Sequence, residues 1–173
     1  FRRIQALVKA GKWHIMGGWH IQPDCNMPSG ESFVRQILIG KTYFREKFGV
    51  EPSTAINFDP FGHTRGLPQI LAKSGYDSYL FCRPGQAERP LENDQFVWVG
   101  FDGSEVLATR ACFYNSPLGQ AVKKAQDTIA GWSDKQFIPI LWGVGNHGGG
   151  PSRKDIADLR AYIAETKEPD VLH

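Results

Sequence analysis

The feature that most constrains the fold of this chain is an alternation of short apolar segments with longer amphipathic ones. Strands are predicted at 13–16, 54–58, 78–82 and 137–142, and helices at 31–48, 66–74, 117–129 and 152–165. Strands separated by helices favour parallel pairing with crossover helices. We therefore expect an α/β fold, built either as an open doubly wound sheet or as a closed barrel.

Capping and turn residues mark the limits of these elements. Ser29 or Ser32 is expected to cap the longest helix, and Gly49 is expected to end it. The pair Asp102-Gly103 is typical of a two-residue turn and predicts a β-hairpin near 95–111. This hairpin is expected to be an insertion in the alternating plan.

Both ends of the chain lie within predicted elements. Phe1, Ile4 and Leu7 fall on one face of a helix that has no cap before it, and residues 170–173 predict the start of a strand. No internal repeat or linker divides the 173 residues. We expect a single domain over 1–173, part of a larger domain that is truncated at both ends.

Composition and charge exclude several classes of protein. The net charge of +2, with scattered Lys and Arg, gives no basic stripe for binding nucleic acid. No apolar run approaches the roughly 20 residues of a membrane span. The cysteines Cys25, Cys82 and Cys112 are odd in number and lack CxxC spacing, which favours reduced thiols in a cytoplasmic protein over a disulfide framework.

Polar side chains follow the predicted strands at the points where the strands end. They are Asp24, Asn26, Asp59, His63, Arg83, Asn146 and His147. In open parallel sheets and in barrels, the loops after the carboxyl ends of the strands converge on one face and build the active site. The sequence therefore predicts a polar cleft at this face, although loops are polar in any protein.

The segment 57–63, Asn-Phe-Asp-Pro-Phe-Gly-His, holds the densest set of candidate residues. Asp59 directly follows a predicted buried strand, and the Pro, Gly and two Phe around it are poorly explained by a surface turn. The Phe rings indicate partial desolvation, so Asp59 is a candidate nucleophile, metal ligand or both. The structural alternative is a helix cap, for which the spacing to the helix near Gly66 is too long.

A second segment, 17–31, is rich in Gly and Pro and carries Trp19, Asp24 and Asn26. Trp19 could stack on a sugar ring, and the two polar side chains could bind hydroxyl groups. Alternatively, Trp19 is a core aromatic residue and Asp24 forms an Asx-turn. The residues alone leave both interpretations open.

The third segment, 141–151, is dense in Gly, so its backbone can approach a ligand closely. Its spacing is neither G-x-G-x-x-G nor that of a P-loop, which argues against phosphate binding. His147 is a candidate metal ligand or general acid, or a structural histidine. The spacing of His14, His20 and His173 gives no compact metal motif.

Three blocks of this sequence resemble the glycoside hydrolase family 38 α-mannosidases, especially the bacterial and cytosolic branch. The blocks are GGWHIQPDCNMPSGESFVRQ, INFDPFGHTRGLPQIL and LWGVGNHGGGPSRKDI, in this order. With KSGYDSYLFCRPG and FVWVGFDGSEVLA, the similarity covers nearly the whole chain. The resemblance implies a part of a seven-stranded β/α barrel with parallel strands and helices outside.

The resemblance also implies roles for individual residues. Asp59 matches the nucleophile, which forms a glycosyl-enzyme in a retaining double displacement and also ligates a catalytic Zn²⁺. The general acid of better-studied members lies where this chain has Asn146 and His147, so His147 is the candidate acid. The implied substrate-binding residues are Trp19, Asp24, Asn26, Arg83 and Asn146.

Two departures from the family pattern limit what this chain can do alone. The family's H-x-D zinc-ligand pair is absent, and its further His ligand lies beyond the last residue, so the remaining zinc ligands are expected outside this chain. We expect the parent protein to be an exo-acting α-mannosidase, a candidate homo-oligomer that cleaves terminal α-mannosyl residues. The isolated chain is expected to be inactive.

Two other functions remain as alternatives. A non-catalytic carbohydrate-binding domain would use Trp19 and the Gly-rich segment 141–151, with affinity for saccharides that chelators do not change. A metal-dependent hydrolase of amides or phosphates would need a fuller set of metal ligands than this sequence holds.

Overall fold

The computed structural model describes residues 1–111, 113–132, 137–145 and 149–166, which form two compact units. Unit 1 comprises residues 1–110, and unit 2 comprises the described residues from 111 onward. The expectation of a single domain over 1–173 stays a prediction. No helix in the described ranges combines the length and apolar character that a membrane span requires.

Unit 1 is a four-stranded sheet with three helices. The strands are β1 (Thr54–Asn57), β2 (Ser78–Phe81), β3 (Gln95–Val99) and β4 (Glu105–Arg110), and the helices are α1 (Arg2–Lys9), α2 (Gly30–Phe48) and α3 (Leu67–Lys73). The strand order is β1-β2-β4-β3, with β1, β2 and β4 parallel and β3 antiparallel at one edge. The expected α/β class and the parallel pairing are therefore confirmed.

Local signals place α2 where the sequence predicts it. The Ser29 hydroxyl accepts a hydrogen bond from the Ser32 amide at 3.3 Å, so Ser29 is the cap. Gly49 ends the helix with φ of 67°, a left-handed conformation that glycine adopts without steric cost. Phe33 and Ile37, one turn apart, direct α2 into the core.

One face of the sheet forms the core of unit 1. Its alternate residues pack with α2, α3 and Trp19 in a single apolar cluster, whose strand members are Ala55, Tyr79, Phe81, Val106 and Ala108. The opposite face carries Val97 and Leu107, which are exposed. Burial of one face fixes the register, because a slip of one residue would expose the whole apolar set.

The hairpin differs from its predicted form in two respects. Its strands are joined by residues 100–104, because the Gly100 amide donates to the Ser104 carbonyl at 2.8 Å and the chain turns at Gly103 with φ of 82°. A two-residue turn at Asp102-Gly103 is therefore wrong. The hairpin is also part of the main sheet, since β4 pairs in parallel with β2.

Two predicted strands are wrong. Residues 13–16 and 137–142 are irregular in the structure. After the first of them, the Gly17 amide donates to the Thr54 carbonyl at 2.9 Å, so the chain touches β1 without forming a ladder. A short apolar run does not specify its pairing partner, and pairing decides whether it becomes a strand.

Unit 2 contains α4 (Ala121–Gly131) and α5 (Arg153–Glu165). Ser152 caps α5 by accepting a hydrogen bond from the Asp155 amide at 2.9 Å. The buried Asp155 carboxylate accepts a hydrogen bond from the Ala121 amide at 3.1 Å and thereby joins the starts of the two helices.

Candidate functional site

Three segments of unit 1 meet at the carboxyl end of its parallel strands. They are residues 22–26, 57–63 and 82–84. The Asn57 side-chain amide donates to the Pro23 carbonyl at 2.9 Å, and His63 Nε2 lies 2.7 Å from the Arg83 carbonyl oxygen. These bonds tie the second segment to the other two, so the structure brings together polar residues that are far apart in the sequence.

Asp59 and Arg83 form an ion pair at this edge, which we call the open pair. Each follows its strand by two residues, and Asn57 lies opposite Phe81 in the register of β1 and β2. The two positions therefore emerge side by side, and Arg83 Nε contacts Asp59 Oδ1. The two side chains are 37% and 38% exposed, so the carboxylate is oriented by a cation and still accessible to a ligand.

His63 lies beside the open pair and is half-buried. Its Nε2 faces the Arg83 carbonyl, and its Nδ1 lies 3.2 Å from the Tyr79 hydroxyl. Burial lowers the pKa of His63, and the hydrogen bond to the Arg83 carbonyl offsets this only in part. The rings of Phe81 and Trp98 approach the imidazole at 5.1 and 5.8 Å between centroids and restrict its rotation.

A cavity of about 670 Å³ opens next to these residues. Its walls include four aromatic rings and several polar groups, among them Phe61, Phe81, Phe96, Trp98, His63 and Arg83. The ring of Phe61 is 80% exposed. A cavity of this size, with apolar faces and a few placed polar groups, suits a small ligand that has both hydroxyl groups and apolar faces, such as a sugar.

Trp19 lies in the core of unit 1, which is the second of the two interpretations that the sequence left open for it. It is 8% exposed, its indole nitrogen donates to the Ile56 carbonyl at 2.8 Å, and its ring packs against Tyr76 and Tyr79. The structure therefore gives Trp19 a packing role in unit 1.

Asp24 and Asn26 differ in how they are placed relative to residues 57–63. The Asp24 carboxylate accepts a hydrogen bond from the Asn26 amide at 3.2 Å, which is the Asx-turn that the sequence allowed. The Asn26 side chain is exposed and lies over Gly62, where a Cβ would clash with it. Asn26 is therefore the member of this pair that stands next to the loop of Asp59.

Asn146 and His147 lie outside the described residues. Within the described ranges, no group of three His, Cys, Asp or Glu side chains is close enough to hold a metal ion. A structural or catalytic Zn²⁺ needs at least three protein ligands. Asp59 can supply one oxygen ligand, so the described part of the chain does not fit zinc as a complete site.

Two residues with clear roles at this edge were not identified from the sequence. Arg110, the last residue of β4, is buried and donates hydrogen bonds to the Pro84 and Arg89 carbonyls of the segment that walls the cavity. Tyr79 appears in the sequence as an ordinary strand residue. Its position opposite Ala55 in β1 places it under His63, a relation that only the strand register reveals.

Comparison with known proteins gives concordant matches. The family model described as "Glycosyl hydrolases family 38 N-terminal domain" matches residues 1–172. Alpha-mannosidase G of Dictyostelium discoideum is 32% identical over 161 residues, 88% of this chain and 14% of that protein. Human alpha-mannosidase 2C1 is 32% identical over 164 residues, 92% of this chain and 16% of that protein.

A solved structure matches the fold. The crystal structure of an alpha-mannosidase from Enterococcus faecalis V583 superposes with a TM-score of 0.69 and 23% identity, covering 95% of this chain and 19% of that chain. At this level of identity the likeness concerns the fold alone. The present chain thus spans less than one fifth of the length of each of these three proteins.

Proposed function

We propose that the full-length protein is a retaining α-mannosidase with Asp59 as its nucleophile. The chain itself belongs to the N-terminal domain of glycosyl hydrolases family 38. The observation that carries the proposal is the open pair, a half-exposed carboxylate at the carboxyl end of parallel strands, beside a sugar-sized cavity. The proposed substrates are glycosides with terminal α-mannosyl residues. The seven-stranded barrel is part of this proposal, and the four-stranded sheet is the portion within unit 1.

The proposed roles follow from the contacts of Asp59. Arg83 holds Oδ1, which leaves Oδ2 as the oxygen we assign to attack the anomeric carbon. The carbon–oxygen bond to the aglycone breaks as the bond to Oδ2 forms, and water later displaces Asp59 to release mannose. His147 is the proposed general acid that protonates the leaving oxygen. Asn146, Asn26 and Asp24 are proposed to bind hydroxyl groups.

Zinc dependence belongs to the proposal with a restriction. Asp59 would contribute one ligand, and the other ligands would come from parts of the full-length protein outside this chain. When bound, zinc would orient sugar hydroxyls and stabilise charge. A cytoplasmic location, suggested by the cysteine pattern, and assembly into a homo-oligomer stay predictions.

The proposal is tested with the full-length protein and an aryl α-mannoside. We expect turnover that falls on chelation and returns with zinc. A fluorinated mannoside should trap a covalent adduct on Asp59, and Asp59→Ala should abolish the adduct. An adduct that survives this substitution would remove Asp59 from the nucleophile role.

The isolated 173-residue chain serves as the comparison. We expect no turnover from it, with or without zinc, because its described residues lack a complete metal site. If the full-length protein binds saccharides without cleaving them, and chelators leave the affinity unchanged, the protein is a carbohydrate-binding module instead.

A further inference from the structure

A line of buried and half-buried hydrogen bonds runs beside the open pair and connects the three segments of the site. The Asn57 amide donates to the Cys25 thiol at 3.1 Å, and Tyr79 interacts with both of these side chains. From Tyr79 the line continues to His63 Nδ1 and from His63 Nε2 to the Arg83 carbonyl. His63 thereby links this line of hydrogen bonds to the Arg83 main chain.

The partners of His63 determine which ring nitrogen carries the proton. A carbonyl oxygen only accepts hydrogen bonds, so Nε2 must carry the hydrogen that bonds to Arg83. The ring is neutral at pH 7 because burial lowers its pKa, and Nδ1 is then an acceptor. Burial raises the pKa of Tyr79, whose protonated hydroxyl can donate to Nδ1.

These hydrogen bonds affect the position of the Asp59 carboxylate. Nε2–H fixes the main chain of Arg83, and the Arg83 side chain in turn orients the Asp59 carboxylate. We propose that His63 is a positioning residue, which in its Nε2–H form holds Arg83 in place and thereby sets the geometry of Asp59. This inference rests on the proposed function, because it concerns the same carboxylate. Small errors in the placement of a nucleophile reduce turnover more than binding.

Two substitutions in the full-length protein separate the two hydrogen bonds of His63. His63→Gln keeps an amide donor at the reach of Nε2 and should retain the bond to Arg83. His63→Asn keeps an acceptor at the place of Nδ1, which retains the bond to Tyr79 and loses the bond to Arg83. Each variant loses one hydrogen bond, so their melting temperatures should be similar.

Turnover should distinguish the two variants where stability does not. With an aryl α-mannoside, we expect kcat of His63→Asn to fall by about 10- to 100-fold, as for other residues that orient a catalytic group. His63→Gln should rescue most of this loss, with little change in KM for either variant. Equal kcat values, or losses that follow the melting temperatures, would mean that His63 is only a packing residue.

Readouts that need no activity keep this inference separate from the proposed function. Crystal structures of the two variants should show the Arg83–Asp59 contact kept in His63→Gln and displaced in His63→Asn. An undisplaced Arg83 in His63→Asn overturns the positioning role, whatever the kinetics. If the unmodified protein cleaves no mannoside, the proposed function fails, and the structures still decide the role of His63.

A measurement on the unmodified protein covers the case in which a variant does not fold. Neutron diffraction should show hydrogen on Nε2 of His63, directed at the Arg83 carbonyl, and none on Nδ1. Hydrogen on Nδ1 alone, or on both nitrogens at pH 7, would contradict the inference.

Discussion

Unit 1 contains two arginine–aspartate ion pairs that differ in burial. In the open pair, Arg83 and Asp59 are 37% and 38% exposed. In the second pair, which we call the closed pair, Arg110 Nη2 contacts Asp94 Oδ1 at 2.5 Å, and the two side chains are 4% and 31% exposed. Both arginines stand at or just beyond the carboxyl end of a parallel strand, so the strands do not explain the difference.

The hydrogen-bond partners of Arg110 explain why the closed pair is more buried than the open pair. Arg110 also donates to the Pro84 carbonyl at 3.2 Å, to the Arg89 carbonyl at 2.7 Å and to the Gln86 side chain. Its guanidinium is surrounded by acceptors of the segment 84–94, which it holds against the sheet. Arg83 and Arg110 both line the cavity, so burial is what separates the pairs. A buried cation with several fixed partners acts on structure, whereas a half-exposed pair can act on a ligand.

The largest expected effect comes from exchanging the two carboxylates for amides. Asp59→Asn should lower kcat of the full-length protein by about 10⁴-fold or more, because the nucleophile is lost. Asp94→Asn should leave kcat of the folded protein within about twofold and lower the melting temperature instead. Both are measured with an aryl α-mannoside and by calorimetry. A large loss of kcat in Asp94→Asn would abolish the distinction between the two pairs.

The second prediction concerns the two arginines. Arg110→Met should destabilise the segment 84–94 by about 3 kcal/mol, since it leaves the Asp94 carboxylate and two carbonyl groups without their donor. Arg83→Met should cost about 1 kcal/mol or less, because solvent screens a half-exposed pair. Amide hydrogen exchange of peptides from this segment measures both values. Equal values would show that burial does not separate the pairs.

Much of this comparison could be predicted from sequence, but not all of it. Asp59 and Arg83 each follow a predicted strand, and parallel topology brings such positions together. The closed pair was not predicted because two acceptors of Arg110 are the main-chain carbonyls of Pro84 and Arg89, which sequence patterns do not mark, and its carboxylate partner Asp94 lies 16 residues away. The strands at 13–16 and 137–142 failed for a related reason, since strand pairing depends on partners elsewhere in the chain.

The helices were predicted more accurately because their signals are local. Ser29 begins α2 and Gly49 ends it, each through contacts within four residues, so the capping signals can be read from the local sequence. His63 illustrates the opposite case. The sequence placed it in the polar loop after β1, but its partners Tyr79 and Arg83 lie 16 and 20 residues away.

The third prediction is a pH dependence of stability that arises from His63, the residue beside the open pair. The folded-state pKa of His63 is lowered by burial, so below the unfolded value of about 6.5 the unfolded chain binds a proton that the folded chain resists. His63 should therefore reduce stability as the pH falls from 7 to 5. The melting temperature of the unmodified protein should drop more over this range than that of His63→Gln. A parallel drop in both would exclude His63 as the cause.

The smallest expected effect concerns a third ion pair, which is more exposed than the open pair and the closed pair. Arg35 contacts Glu31 at 2.9 Å on the surface of α2, with side chains 72% and 66% exposed. Arg35→Ala should cost only about 0.3 kcal/mol, the usual contribution of such a pair one helical turn apart. Hydrogen exchange of α2 peptides measures this value beside those for Arg83 and Arg110.

Salt sharpens this last prediction, because screening acts on exposed charges and much less on buried ones. At 1 M salt the Debye length is roughly 3 Å, so the cost of Arg35→Ala should vanish. The cost of Arg110→Met should persist in larger part, since the Arg110 side chain is only 4% exposed and is held by several acceptors. If salt removed both costs equally, the closed pair would be as exposed in solution as the pair on α2, and burial could not be what separates Arg110 from Arg83.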